Sequence, residues 1–108
     1  MNGSVYPLRE LSDRLAAADD LYVEFLRVDA MSAGLYALPA GASDPQTPHN
    51  EDEIYYVISG RASIDIDGDV STVEPGAVIF VGKHVEHRFI DIAEDLEVLV
   101  LFAPAETT

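Results

Sequence analysis

Between residue 21 and residue 103 the apolar residues come in short runs, and nearly every run ends at a glycine, a proline or an acidic pair. Pro39-Ala40-Gly41, Ser59-Gly60, Asp67-Gly68 and Glu74-Pro75-Gly76 are turn-forming sequences, and Asp67-Gly68 suits a tight hairpin. No segment between them repeats its apolar residues at helical spacing. Parallel strands need long crossovers, usually helical, so this spacing confines the chain to antiparallel sheet. An all-β jelly roll, one sheet folded over another, is an architecture that such a chain can close.

The strands follow from the punctuation. Leu21 to Val28 carries Glu24 and Arg27, which gives it one wet face, and Met31 to Leu38 is more apolar. Ile54 to Ile58 is dense in β-branched and aromatic residues. Arg61 to Asp67 alternates, with Ala62, Ile64 and Ile66 facing inward, and Val70 to Val73 returns from the hairpin. Ala77 to Val81 is continuously apolar, which predicts a strand buried on both faces. His87 to Ile90 follows a bend, and Leu96 to Phe102 is the last strand before Pro104. Glu106 to Thr108 reads as a loose tail. One short helix is expected over residues 7–18, where Leu8, Leu11 and Leu15 share a face and Pro7 suits the first turn. It would brace the outside of the barrel.

The 108 residues, 48% of them hydrophobic, suit a single domain over residues 1–108, with the helix and first strands in 5–38 and the barrel over about 30–103. A formal charge of −14, from 20 acidic and 6 basic residues, would repel phosphate, so neither nucleic acid nor an anionic membrane is an expected partner. No apolar run is long enough to span a bilayer, and MNGSVYPLRE lacks the basic start and apolar core of a signal peptide. The chain has no cysteine. Together these features predict a cytoplasmic protein without disulfides. So short a chain buries a modest share of its surface, so a homodimer is expected, with apolar strand surface from residues 21–38 at the interface.

Chemistry concentrates between Asp44 and Gly60. A proline-broken polar loop delivers His49, and Glu53 opens the strand that follows. Strand alternation places Glu53 on one face with Tyr55 and Val57; if that face lines the barrel, the carboxylate needs a cation. His87 lies where another apolar run begins, and His84 points to the opposite face by parity. Two imidazoles and one carboxylate on strand ends suit a divalent metal ion, and with open positions they form the ligand set of non-haem iron oxygenases. Glu51 and Asp52 read as strand-end carboxylates in water, and Tyr55 as a lumenal aromatic whose hydroxyl bonds a partner. No Ser-His-Asp set, glycine-rich phosphate loop or paired-cysteine motif is present.

These motifs resemble those of the cupin family. Its first motif places two histidines one residue apart, then a glutamate, then a glycine. Here His49, Glu53 and Gly60 keep the later spacings, whereas Thr47 stands at the first histidine position. The second motif runs from Gly76 to His87, with Gly82 and His84 replacing its proline and glycine and Asp91 where asparagine is frequent. The likeness covers roughly residues 30–103 and implies a small barrel with its site in the lumen. It further implies a divalent ion (Fe, Mn, Ni, Zn or Cu) on His49, Glu53 and His87. The remaining position is open to Gln46, Thr47 or water. Family members include dioxygenases, isomerases and non-catalytic sensors. The expected function is a metal-dependent enzyme, dioxygenase-like or isomerase-like, acting on a small organic molecule. The alternatives are a small-molecule-binding or sensor module on the same barrel and a metal-free structural barrel.

Overall fold

The structure is a computed structural model that describes residues 2–107. One helix, α1 (Leu8–Ala17), precedes eight strands: β1 (Tyr22–Val28), β2 (Met31–Leu38), β3 (Asp52–Ser59), β4 (Ala62–Ile66), β5 (Asp69–Val73), β6 (Val78–Val81), β7 (His87–Ile90) and β8 (Leu96–Ala103). The strands form a five-stranded sheet, β1-β2-β8-β3-β6, and a three-stranded sheet, β5-β4-β7, and every pairing is antiparallel. This is the all-β jelly roll with a short N-terminal helix expected from the turn spacing. The turn after β3 needs glycine: Gly60 has φ +93°, and a β-carbon there would lie 2.2 Å from the Asp95 carbonyl oxygen.

The core fills the space between the sheets. The larger sheet contributes Tyr55, Val57, Val98, Val100 and Phe102, and the smaller contributes Ala62, Ile64 and Phe89. A second cluster lies outside the larger sheet, where Leu11 and Leu15 of α1 pack with Leu35 against Val23, Phe25, Ala37 and Leu99. β2 is therefore covered on both faces, by the core around Tyr36 and Leu38 and by the helix over Leu35. The outer face of residues 21–38, expected to meet a second copy, is thus largely occupied by the chain's own helix.

β6 departs from expectation. Its run of apolar residues predicts burial on both faces, yet Val78 is 68% exposed and Phe80 63% exposed. Among the described residues β6 is an edge strand, with a pairing partner only on the β3 side, and its outer face is open. Register sets Phe80 beside Ile54 and Val78 beside Tyr56, and all four are exposed. The result is an apolar strip on the outside of the larger sheet. No helix among the described residues is long and apolar enough to cross a membrane.

Candidate metal centre

The site is assembled from three segments. β3 alternates exposed and buried residues along most of its length, which turns Glu53, Tyr55 and Val57 into the lumen as parity predicts. β7 brings His87 to the same space from the opposing sheet. The loop between β2 and β3 supplies His49, and its course is fixed by Asp44, a buried residue whose carboxylate accepts the Tyr36 hydroxyl and the Phe89 amide. Asp44 thereby ties the loop to both sheets. His84 is exposed, with φ +66°, and serves through its backbone, whose N–H donates to the His49 carbonyl at 2.7 Å. Its side chain stays out of the site, in keeping with the parity that separates it from His87.

One nitrogen or oxygen from each of His49, Glu53 and His87 lies within 4.8 Å of the others. His87 Nε2 is 3.1 Å from Glu53 Oε1, and His49 Nε2 is 3.9 Å from the same oxygen. His87 Nδ1 is 2.9 Å from the Val85 carbonyl, which only accepts, so the ring proton belongs on Nδ1 when the imidazole is neutral. Nε2 then offers its lone pair to the lumen. His49 is oriented similarly, with Nδ1 3.3 Å from a carboxylate oxygen of Glu106. A carboxylate behind a histidine is a common way to aim a metal ligand.

Glu53 is the group out of balance. It is 2% exposed, and neither of its oxygens has a hydrogen-bond donor among the described residues. With the Nδ1 tautomer of His87, the nearest nitrogen confronts Glu53 with a lone pair rather than a proton. A positive charge, as a proton on His87 or as a metal ion, would balance the Glu53 carboxylate. The titration of the pair reflects this need. Burial alone would lower the His87 pKa, but the Glu53 carboxylate 3.1 Å away and the bond to the Val85 carbonyl raise it above the ordinary value. At His49 burial dominates, and His87 adds to it, so its pKa falls despite the pull of Glu53. The donor set, two imidazoles and a carboxylate converging on one point, fits a divalent ion.

Tyr55 is fully buried, and its hydroxyl donates to Gln46 Oε1 at 2.7 Å and lies 3.1 Å from His87 Nε2. Burial, and then the charge of Glu53, push its pKa well up, so it keeps its proton. Beside these groups opens a cavity of about 140 Å³ whose further walls are Tyr22, Tyr36, Val100, Phe102 and Glu106. The Tyr22 hydroxyl is buried there without a hydrogen-bond partner among the described residues. Gln46 turns toward the site, whereas Thr47 is exposed.

Two expectations, one about a carboxylate and one about the tail, are corrected. Glu51, expected in water, is 2% exposed and accepts both the amide (3.0 Å) and the hydroxyl (2.7 Å) of Thr107. The loose tail expected over Glu106 to Thr108 is held as far as it is described: Glu106 N–H donates to Ser32 Oγ, and the Glu106 carbonyl accepts from Arg27. Thr108 lies outside the described residues. Asp44, Glu106 and the Tyr22–Tyr36 pair were not singled out by sequence. The tyrosines could have been found from alternation once β2's inner face was known, but Glu106 carries no local signal.

This chain belongs to the cupin family: residues 34–103 match the cupin domain. It is 48% identical over 102 residues to an uncharacterised protein of Streptomyces coelicolor, covering 94% of this chain and 97% of that one. Among solved structures it is similar to a protein of Thermus thermophilus, with 20% identity, a TM-score of 0.72, and coverage of 94% and 97% of the two chains. It is also similar to the DMSP lyase DddQ of Ruegeria pomeroyi, with 26% identity and a TM-score of 0.66. That match covers 70% of this chain and spans only 39% of the lyase.

The bonded tail makes a direct prediction. Removing residues 105–108 strips Glu51 of both donors and should lower stability by about 1–3 kcal/mol, the usual cost of leaving a buried polar group unpaired. Urea unfolding of the truncated and full chains checks it; equal midpoints would mean that the tail is loose after all.

Proposed function

We propose that this protein is a metal-dependent enzyme, of dioxygenase or isomerase type, with a divalent ion on His49, Glu53 and His87. Its substrate would be a small organic molecule in the adjoining pocket. The observation that carries the reading is Glu53, a buried carboxylate with no hydrogen-bond donor among the described residues and two imidazoles directed at it. When bound, the ion would supply Lewis acidity next to the pocket. The chain's own residues do the rest. Val100 and Phe102 give the pocket apolar walls, the Tyr22 hydroxyl is free to bond a ligand, and Tyr55 holds a proton at the edge of the site. The cavity is close in size to one that in another protein admits benzene, at about 150 Å³. No lysine or arginine lines it, so an anionic substrate would find no charged partner from these walls.

Protein purified without chelator or affinity tag should contain about one divalent ion per chain. His87→Ala should lose most of it and His84→Ala should keep it. Nitric oxide, added without air to the Fe(II)-loaded protein, should alter the visible absorption by taking an open position. Absence of metal, with no uptake from Fe, Mn, Ni, Zn or Cu, would remove the basis of the reading. A silent spectrum on loaded protein would favour a binding module.

A pH dependence follows from the two histidines. Metal needs neutral imidazoles, so acid competes with it. His87, with its raised pKa, takes up its proton at higher pH than a free imidazole at about 6.5, so expulsion should begin there. In the metal-free protein the same raised pKa adds stability as pH falls through it, whereas the lowered pKa of His49 opposes further acidification. The gap in melting temperature between loaded and chelated protein should therefore narrow from pH 7 to about pH 5. A constant gap over that range would show that these histidines do not hold the ion.

The reading includes a homodimer, with its contact moved from residues 21–38 to the exposed strip of Ile54, Tyr56, Val78 and Phe80. These four residues are uncharged, which suits the meeting of two chains that each carry −14. Light scattering should give twice the chain mass, and Phe80→Asp should halve it; a monomeric wild type at micromolar concentration would refute the pairing.

A further inference from the structure

The cupin motif leaves one ligand position of this site empty of histidine, and the geometry points to Gln46 as the residue that fills it. We infer that its side-chain oxygen is a fourth protein ligand, fixed in place by Asp44. The inference rests on the metal reading given above and concerns a residue one place away from the motif position.

Thr47, which stands at the motif position, is exposed. Gln46 instead lies against the site, with Oε1 3.3 Å from His49 Nε2 and 2.7 Å from the Tyr55 hydroxyl. Which end of an amide faces inward is settled by its partners. Asp44 Oδ2 lies 2.6 Å from Gln46 Nε2, and a carboxylate can only accept there. Turning the amide over would set two oxygens against each other at Asp44, 2.6 Å apart. Asp44 cannot swing away to permit this. Its carboxylate also accepts the Gln46 amide, the Tyr36 hydroxyl and the Phe89 amide, and it is buried. The side-chain oxygen of Gln46 is therefore committed to the lumen, beside His49 Nε2 and the Tyr55 hydroxyl.

This completes a set of two imidazole nitrogens, one carboxylate oxygen and one neutral amide oxygen. Exchanging an imidazole for an amide oxygen makes the site harder without changing its charge. Such a set is better suited to Mn(II) or Fe(II) than three imidazoles would be. Tyr55 uses Gln46 Oε1 as its acceptor, so metal loading would turn the hydroxyl toward another partner.

The test measures Mn(II) affinity by competition with a chelating dye for the wild type, Gln46→Leu and Thr47→Val. Gln46→Leu should weaken binding about ten-fold or more, since even partners behind the ligands are worth that much. Thr47→Val should change it by less than about two-fold. A structure of the Mn(II)-loaded wild type gives a second measure that does not depend on a variant folding: Gln46 Oε1 should be bound to the ion. If the wild type binds Mn(II), and Gln46→Leu binds it equally or water occupies the Gln46 position, the assignment of Gln46 is overturned while the metal site stands. A wild type that binds none of the divalent ions overturns the metal reading and this assignment with it.

Discussion

A carboxylate placed in an apolar barrel without a donor is expensive, and the structure around Glu53 is arranged to meet that demand. An isolated ionised group in low dielectric would otherwise give up its charge. Here two imidazoles from different segments converge on it, one raised in pKa by its neighbours and the other lowered by burial. That asymmetry matters. The metal-free site can hold a proton at His87, while His49 stays ready with a lone pair. The same feature that costs stability in the empty barrel is the one that would favour a cation.

Each supporting element fixes one member of this set. The Val85 carbonyl decides the His87 tautomer, and Glu106 faces the far nitrogen of His49. Asp44 pins the loop between β2 and β3 to residues of both sheets. Helix α1 stays outside the site, where Leu11 and Leu15 cover Leu35 on the outer face of the sheet that carries Glu53. Glu53 and His87 therefore come from strands, and the loop with Gln46 and His49 is held by hydrogen bonds through Asp44.

Much of this was readable in the sequence because it depends on period and punctuation. The eight strands lie within a residue or two of the turn signals, and Glu53, Tyr55 and Val57 share a face because strand alternation is strict. Parity likewise separates His87 from His84. What escaped depends on contacts across long sequence distances. Glu106 sits far from His49 in the chain, and the Thr107 bonds that bury Glu51 follow from how the tail crosses the barrel. That Gln46 rather than Thr47 lies against the pocket depends on its bond to Asp44. The fully apolar β6 was misread because apolar content does not say whether a face is covered by the same chain or left open.

That open edge has a consequence for how the molecule behaves in bulk solution. β6 presents an unpaired backbone edge together with Val78 and Phe80, a combination that invites strand-to-strand addition between molecules. Glu74 and Lys83 flank the strand but do not interrupt it. Colloidal protection then falls mainly to the overall negative charge, whose mutual repulsion keeps edges apart. Conditions that mute this repulsion, such as concentrated salt, leave the edge unguarded. Solubility in this protein is thus a property of its surface charge as a whole, even though the vulnerability lies in a single four-residue strand.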